Sequence, residues 1–188
     1  SRDRKGLVIG EGAAAIVIES LDHARKRSAN ILGEIMGFGM SADAGDLLSP
    51  DAGGMTRAIR AALADGGLSA ADIAYVNAHG TGTAANDETE TQALKLSFGE
   101  HAKKLVMSSN KSMIGHALGA AGALELVATL MTIREGIVPP TINYLGPDPA
   151  CDIDCVPNEA RTMRVDAAIS NSFAFGGLNA VLAVRRFA

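Results

Sequence analysis

Three short strings hold residue types that could carry chemistry. The first is His79-Gly80-Thr81-Gly82-Thr83. It offers an imidazole that can donate or accept, glycines that let a ligand approach the backbone, and two hydroxyls. The bland alternative is a strand-ending turn whose histidine caps a backbone group. The second is Asn110-Lys111-Ser112-Met113-Ile114-Gly115-His116, followed by Ala117-Leu118-Gly119-Ala120-Ala121-Gly122. His116 then falls at or near a helix N-terminus, where partial positive charge keeps an imidazole neutral. A neutral ring can donate one N–H to a substrate oxygen. Downstream, Glu125 lies among Ala123, Leu124, Leu126 and Val127. A carboxylate there is costly unless paired. Lys111 is its candidate partner; an exposed Glu125 and a solvated Lys111 are the alternative. The third string is the glycine-rich turn Phe175-Gly176-Gly177.

Each string follows a segment that reads as a strand. Ala15 to Ile18 is short, apolar and β-branched, which predicts a buried strand. Ile31 to Met40 predicts another, its glycines suggesting bulges or close packing. Met55, Ala58, Ile59, Ala62 and Leu63 recur at helical spacing and Gly66-Gly67 supplies the stop. Ser69 and Asp72 have capping-box spacing. Ala74 to Ala78 is a strand leading into the first string, and Asp87 is the expected N-cap of a helix through Leu96. Leu105 to Met107 leads into the second string, and a small-residue helix runs from about Ala117 to Arg134. Ala167 to Phe173 and Ala180 to Arg185 flank the third string as a hairpin. Strands alternating with helices imply a layered α/β domain with a mostly parallel sheet. In open sheets of this kind, sites gather at the carboxyl ends of strands.

Composition narrows the partners. With 188 residues and 47% apolar content, the chain can bury a sizeable core. A formal net charge of −4 and the absence of Trp give no footprint for nucleic acid. The charged start, Ser1 to Lys5, has no leucine-rich stretch behind it and does not read as a signal peptide. The most apolar run, Ala117 to Ile133, is interrupted by Glu125 and two threonines and does not read as a membrane span. The expected compartment is the cytoplasm. Cys151 and Cys155 form a C-x3-C pair without a nearby histidine, so they read as core or edge thiols and no metal site is expected.

The ordered set of strings "GLVIGEGAAAIVIE" at 6–19, "NAHGTGT" at 77–83, "NKSMIGHALGAAGALE" at 110–125, "VPPTIN" at 138–143 and "NSFAFGGLN" at 171–179 resembles the β-ketoacyl-[acyl-carrier-protein] synthases. These are condensing enzymes of the thiolase-like family, and the fatty-acid elongation enzymes of synthase II type are the most similar. The likeness runs over nearly the whole chain. It implies decarboxylative Claisen condensation of an acyl thioester with malonyl-acyl carrier protein. On this resemblance His79 and His116 are catalytic and donate to the malonyl thioester carbonyl. Lys111 and Glu125 support them. Thr81 and Thr83 match residues that bond the phosphopantetheine arm. Phe175 matches a gating phenylalanine beside the acyl pocket whose backbone N–H contributes to an oxyanion hole, and Gly176-Gly177 give its turn room to move. No cofactor is implied beyond the phosphopantetheine that arrives on the carrier protein. Thiolases themselves use a second cysteine near the C-terminal end rather than this histidine pair.

There are departures. The family's nucleophile string of alanine, cysteine and serine does not occur in these residues, and neither Cys151 nor Cys155 sits where a helix would lower its pKa. Asn86 stands where many relatives carry glycine, and Ala174 where synthase II often does. The implied fold is a thiolase-like half: three α/β/α layers with a mixed five-stranded sheet ending in an antiparallel hairpin. Residues 1–30 then belong to the tail of the family's N-terminal half, with an orphan strand, and 31–188 to the C-terminal domain. The expected partners are the acyl carrier protein and the missing N-terminal half, within a homodimeric parent. The isolated chain is expected not to condense acyl chains. The alternatives are a non-catalytic or split-enzyme subunit, or part of a polyketide, nodulation or very-long-chain lipid synthase.

Overall fold

In the computed structural model, which describes residues 1–187, the elements run as follows. They are α1 (Leu21–Lys26), β1 (Glu34–Ala42), α2 (Ala52–Asp65), β2 (Tyr75–Asn77), α3 (Ala84–Phe98), β3 (Val106–Ser108), α4 (Lys111–Ile114), α5 (Ala121–Glu135), β4 (Ile137–Val138), β5 (Arg161–Thr162), β6 (Ala167–Ala174) and β7 (Leu178–Arg185). Five strands make one sheet in the order β1-β7-β6-β2-β3, while β4 and β5 form a small ribbon apart. β2 is parallel to β3 and to β6; β7 is antiparallel to β6 and to β1. The sheet is therefore mixed, and the mostly parallel sheet suggested by element alternation is corrected. The hairpin β6–β7 is the reason: two strands joined by a tight turn must run antiparallel.

The pleat sends alternate residues to two cores. On one face Val76, Ile169, Val181 and Ala183 pack with Met55, Ile59 and Leu63 of α2 and Leu94 of α3. On the other, Tyr75, Ala168 and Val184 pack with Leu126 and Ile133 of α5. Helices thus cover both faces, giving three α/β/α layers. Burying a side chain such as Ile169, with no exposed area, is worth about 1.5–3 kcal/mol.

Local sequence explains the contacts. Asp51 caps α2 by accepting the Gly54 N–H at 2.8 Å. A Cβ at Gly37 or Gly39 would collide with the carbonyl oxygens of Ala62 or Ala58, so these glycines let α2 rest directly on the backbone of β1. The N-cap of α3 is Thr83, whose hydroxyl accepts the Asn86 N–H, and not Asp87, which lies in the first turn. The small-residue helix starts later than its pattern suggests. Leu118 takes a left-handed φ of 50° and a single 3₁₀ turn precedes Ala121.

The expected strand at Ala15 to Ile18 is absent. Val17 and Ile18 are 82% and 72% exposed, and no neighbouring strand pairs with them among the described residues. A β-branched run makes a strand only where a partner completes its ladder.

Candidate functional site

β2 delivers His79 and β3 delivers Lys111, because these parallel neighbours end side by side with Asn77 opposite Ser108. The His79 loop turns back through Gly80 and Gly82, both at positive φ. Beneath it lies Glu90 of α3, fully buried. One carboxylate oxygen accepts His79 N–H at 2.9 Å and Asn171 Nδ2 at 3.0 Å; the other accepts Gly80 N–H at 2.9 Å and Asn86 Nδ2 at 3.4 Å. Burial pushes this carboxyl above the ordinary range, and the donors pull it back. The sequence reading missed Glu90. Four residues after Asn86 it shares a helix face with it, yet nothing in the string separates it from the half-exposed Glu88.

Lys111 and Glu125 meet as a buried ion pair. The ammonium also donates to the His79 carbonyl at 2.6 Å and lies 3.4 Å from His79 Nδ1. Burial pushes Glu125 up to about 7 against the pull of Lys111. Its second oxygen has no hydrogen-bond partner among the described residues. On the other side, His116 Nδ1 accepts the Leu118 N–H at 3.1 Å.

These contacts fix both tautomers. An ammonium and an amide N–H can only donate, so each Nδ1 accepts and each Nε2 carries the proton. Both rings are held below their ordinary pKa. For His79 burial is the main cause, followed by the charge of Lys111 and the proximity of His116. For His116 it is burial, then Lys111. The helix N-terminus expected to neutralise His116 is not adjacent, since α5 starts five residues later. The two neutral rings sit with centroids 5.3 Å apart and planes at 83°. Phe173 packs against His79, centroids 6.1 Å apart.

Both histidines line a cavity of about 540 Å³ together with Thr81, Thr83, Phe173 and Phe175. Gly177 also borders it, whereas Gly176 does not. The two threonine hydroxyls are 2.9 Å apart. Phe175 is 68% exposed at the turn joining β6 and β7. That turn is braced from the 43–51 loop: Asp43 N–H donates to Gly177 O, Gly176 N–H donates to Leu47 O, and Asn179 Nδ2 donates to Asp43 at 2.7 Å. No local sequence pattern announces the Asp43–Asn179 brace. Lys111 borders a second cavity of about 460 Å³, as do His116, Thr81, Cys151 and Cys155. Both thiols are free, and burial pushes their pKa up. No group of three or more His, Cys, Asp or Glu side chains could hold a metal among the described residues. Among the described residues no helix is long and apolar enough to cross a membrane.

Two neutral N–H donors at one cavity wall can stabilise negative charge building on a single oxygen. The mixed three-layer sheet is shared with known proteins. The family model described as "Beta-ketoacyl synthase, C-terminal domain" matches residues 32–145, and the chain belongs to this family. It is 56% identical over 186 residues to Nodulation protein E of Rhizobium sp. (strain N33), covering 99% of this chain and 46% of that protein. It is 52% identical over 187 residues to 3-oxoacyl-[acyl-carrier-protein] synthase 2 of Coxiella burnetii (strain RSA 493 / Nine Mile phase I), covering 98% of this chain and 45% of that one. Among solved structures, the ishigamide ketosynthase/chain length factor superposes with a TM-score of 0.96 at 43% identity, over 100% of this chain and 46% of that one. A type II PKS ketosynthase in complex with its acyl-carrier protein superposes with a TM-score of 0.88 at 39% identity, over 90% and 42%. The chain thus spans less than half the length of these relatives.

Proposed function

We propose that this chain supplies the malonyl half-site of a β-ketoacyl synthase, with His79 and His116 as the catalytic donors. The observation that carries the reading is the pair of Nε2–H imidazoles, 5.3 Å apart, on one cavity wall. Both Nε2–H groups donate to the carbonyl oxygen of a malonyl thioester. The bond from the malonyl α-carbon to its carboxylate breaks, CO2 leaves, and the electron pair becomes an enolate whose oxygen takes the charge. The α-carbon then attacks an acyl thioester, and the thiolate of that thioester departs. Donors fixed in advance stabilise the enolate more than the ground-state carbonyl.

Lys111, paired with Glu125, holds the His79 ring and keeps it neutral. Thr81 and Thr83 bind the phosphopantetheine arm, which the acyl carrier protein brings, so no resident cofactor is needed. Phe175 with Gly176 and Gly177 gates the acyl side. Residues 1–30 belong to the family's preceding half and 31–188 to its C-terminal domain. The acylated cysteine comes from that preceding half, within a homodimeric cytoplasmic parent.

A direct test incubates the chain with acyl- and radiolabelled malonyl-carrier protein. The chain alone yields no ketoacyl product. Co-expression with the nucleophile-bearing half of a synthase 2 restores it, and His79→Ala or His116→Ala then lowers the rate by about 10²–10³, the effect of removing one oxyanion donor. Product from the chain alone, or restored product indifferent to both substitutions, overturns the proposal. The 56% identity to Nodulation protein E and the likeness to a type II PKS ketosynthase favour a second reading, part of a specialised nodulation or polyketide synthase. The chain length of the restored product separates it from fatty-acid elongation.

A further inference from the structure

Residues 4–10 precede every helix and strand, yet they grip both histidine loops. Gly6 N–H donates to Gly82 O at 2.9 Å. His116 N–H donates to Val8 O at 2.7 Å, and Gly10 N–H donates to His116 O at 3.0 Å. Ile9 and His116 thereby form an isolated parallel bridge. Both backbone polar groups of His116 are held by this one segment. The ring's one hydrogen bond among the described residues is with the Leu118 N–H.

The approach is close. A Cβ at Gly10 would collide with the carbonyl oxygen of Ile114. A Cβ at Gly115 would lie 2.9 Å from Gly10 Cα, and one at Gly82 would lie 3.0 Å from Gly6 O. The segment does not stay by burying its own side chains, since Val8 and Ile9 are 74% and 63% exposed. Its upstream end is anchored instead by Arg4. That guanidinium pairs with Asp87 at 3.2 Å, with Glu88 at 3.3 Å and with Asp148, and its side chain is 8% exposed.

We infer that residues 4–10 are a strap that sets the position of His116, with Gly10 as a positioning residue for the malonyl site. The catalytic part of this inference rests on the reading proposed above. A misplacement of about 1 Å at a reacting group can cost about 10²-fold in rate. His79 is held separately, by Glu90 and Lys111. The strap therefore acts chiefly on His116, its one backbone bond to the His79 loop being Gly6 N–H to Gly82 O.

The test compares Gly10→Ala, Arg4→Gln and Val17→Ala in the full chain labelled with ¹⁵N-histidine. Gly10→Ala shifts the His116 ring nitrogen signals and its titration while those of His79 stay in place. Arg4→Gln, which adds no bulk, shifts His116 in the same direction by less. Val17→Ala, at an exposed side chain, changes neither. In the co-expression assay Gly10→Ala lowers kcat at least about tenfold and leaves KM for the malonyl carrier protein unchanged, the mark of misplaced chemistry rather than lost binding. Unchanged His116 signals in folded Gly10→Ala overturn the inference. If that variant fails to fold, unchanged signals in Arg4→Gln overturn it instead. If the unaltered chain supports no condensation on co-expression, the proposed function fails while the ring signals still decide the strap.

Discussion

Glu90→Gln tests whether a buried carboxylate holds the His79 loop. Four donors converge on Glu90, two on each oxygen. Glutamine keeps the shape but has one oxygen, so its NH2 must face one pair of donors. The weaker side is Gly80 N–H with Asn86 Nδ2, the latter at 3.4 Å. Placing the NH2 there leaves one good backbone N–H without an acceptor, which costs about 1–3 kcal/mol. Loss of charge on the remaining bonds adds to this, because hydrogen bonds to an ionised group are about twice as strong. Relief from burying a charge offsets part of it. The expected loss is about 2 kcal/mol, and for a domain of this size it lowers Tm by about 4–8 °C. Differential scanning calorimetry at neutral pH measures it. Glu90→Ala, which strands all four donors and opens a cavity, should cost more. A Glu90→Gln variant that melts with the unaltered chain, or an Ala variant no worse than Gln, refutes the clamp.

Three further predictions follow from the same geometry. His79 is neutral in the fold and holds fewer protons than the unfolded chain below its ordinary value of 6.5, so its contribution to stability is present above 6.5 and lost as pH falls toward its depressed folded value. Urea unfolding at a series of pH values should show a fall below 6.5 that His79→Gln flattens, and ring titrations should place His79 below His116. Lys111→Met strands Glu125 and should cost about 3–5 kcal/mol, whereas the double variant Lys111→Met with Glu125→Gln should recover most of it in denaturant titrations. Gly177→Ala should lose at least about 1 kcal/mol. Its φ is +71° and the new Cβ would sit 2.5 Å from Asp43 Cβ; faster hydrogen exchange across residues 43–51 reports the broken brace.

The sequence was most legible where a string's chemistry and its element coincide. His79 after an apolar strand and His116 ahead of a run of small residues both stand out as candidates, and the two cavity threonines come with the first string. Lys111 and Glu125 were readable as partners because a carboxylate among Ala123, Leu124, Leu126 and Val127 needs one. Glu90 was not readable. Its donors come from His79, Gly80, Asn86 and Asn171, and the last lies 81 residues away in sequence. No local pattern encodes such convergence. The Asp43–Asn179 brace is hidden for the same reason, at a separation of 136 residues. The failed strand at Ala15 to Ile18 shows the converse. Propensity marks a segment that can be a strand, and only a partner's hydrogen bonds make it one.

The arrangement of charge around the histidines follows a simple electrostatic requirement. On the proposed function, an enolate oxygen beside the histidines is disfavoured by nearby carboxylates, and two buried ones, Glu90 and Glu125, are bonded to the His79 loop and to Lys111. Glu90 is turned away, its oxygens occupied by four donors. Glu125 is answered by Lys111, which lies between it and His79. The ammonium borders the cavity of about 460 Å³ that His116 and Thr81 also line, while the cavity of about 540 Å³ takes in both histidines. Its effect on the His79 ring is direct: Nδ1 is occupied, Nε2 keeps its proton, and burial together with the adjacent positive charge makes imidazolium unfavourable. A histidine held neutral in this way can donate a hydrogen bond without giving up the proton. Stabilising an enolate that must stay unprotonated until it attacks calls for such a donor.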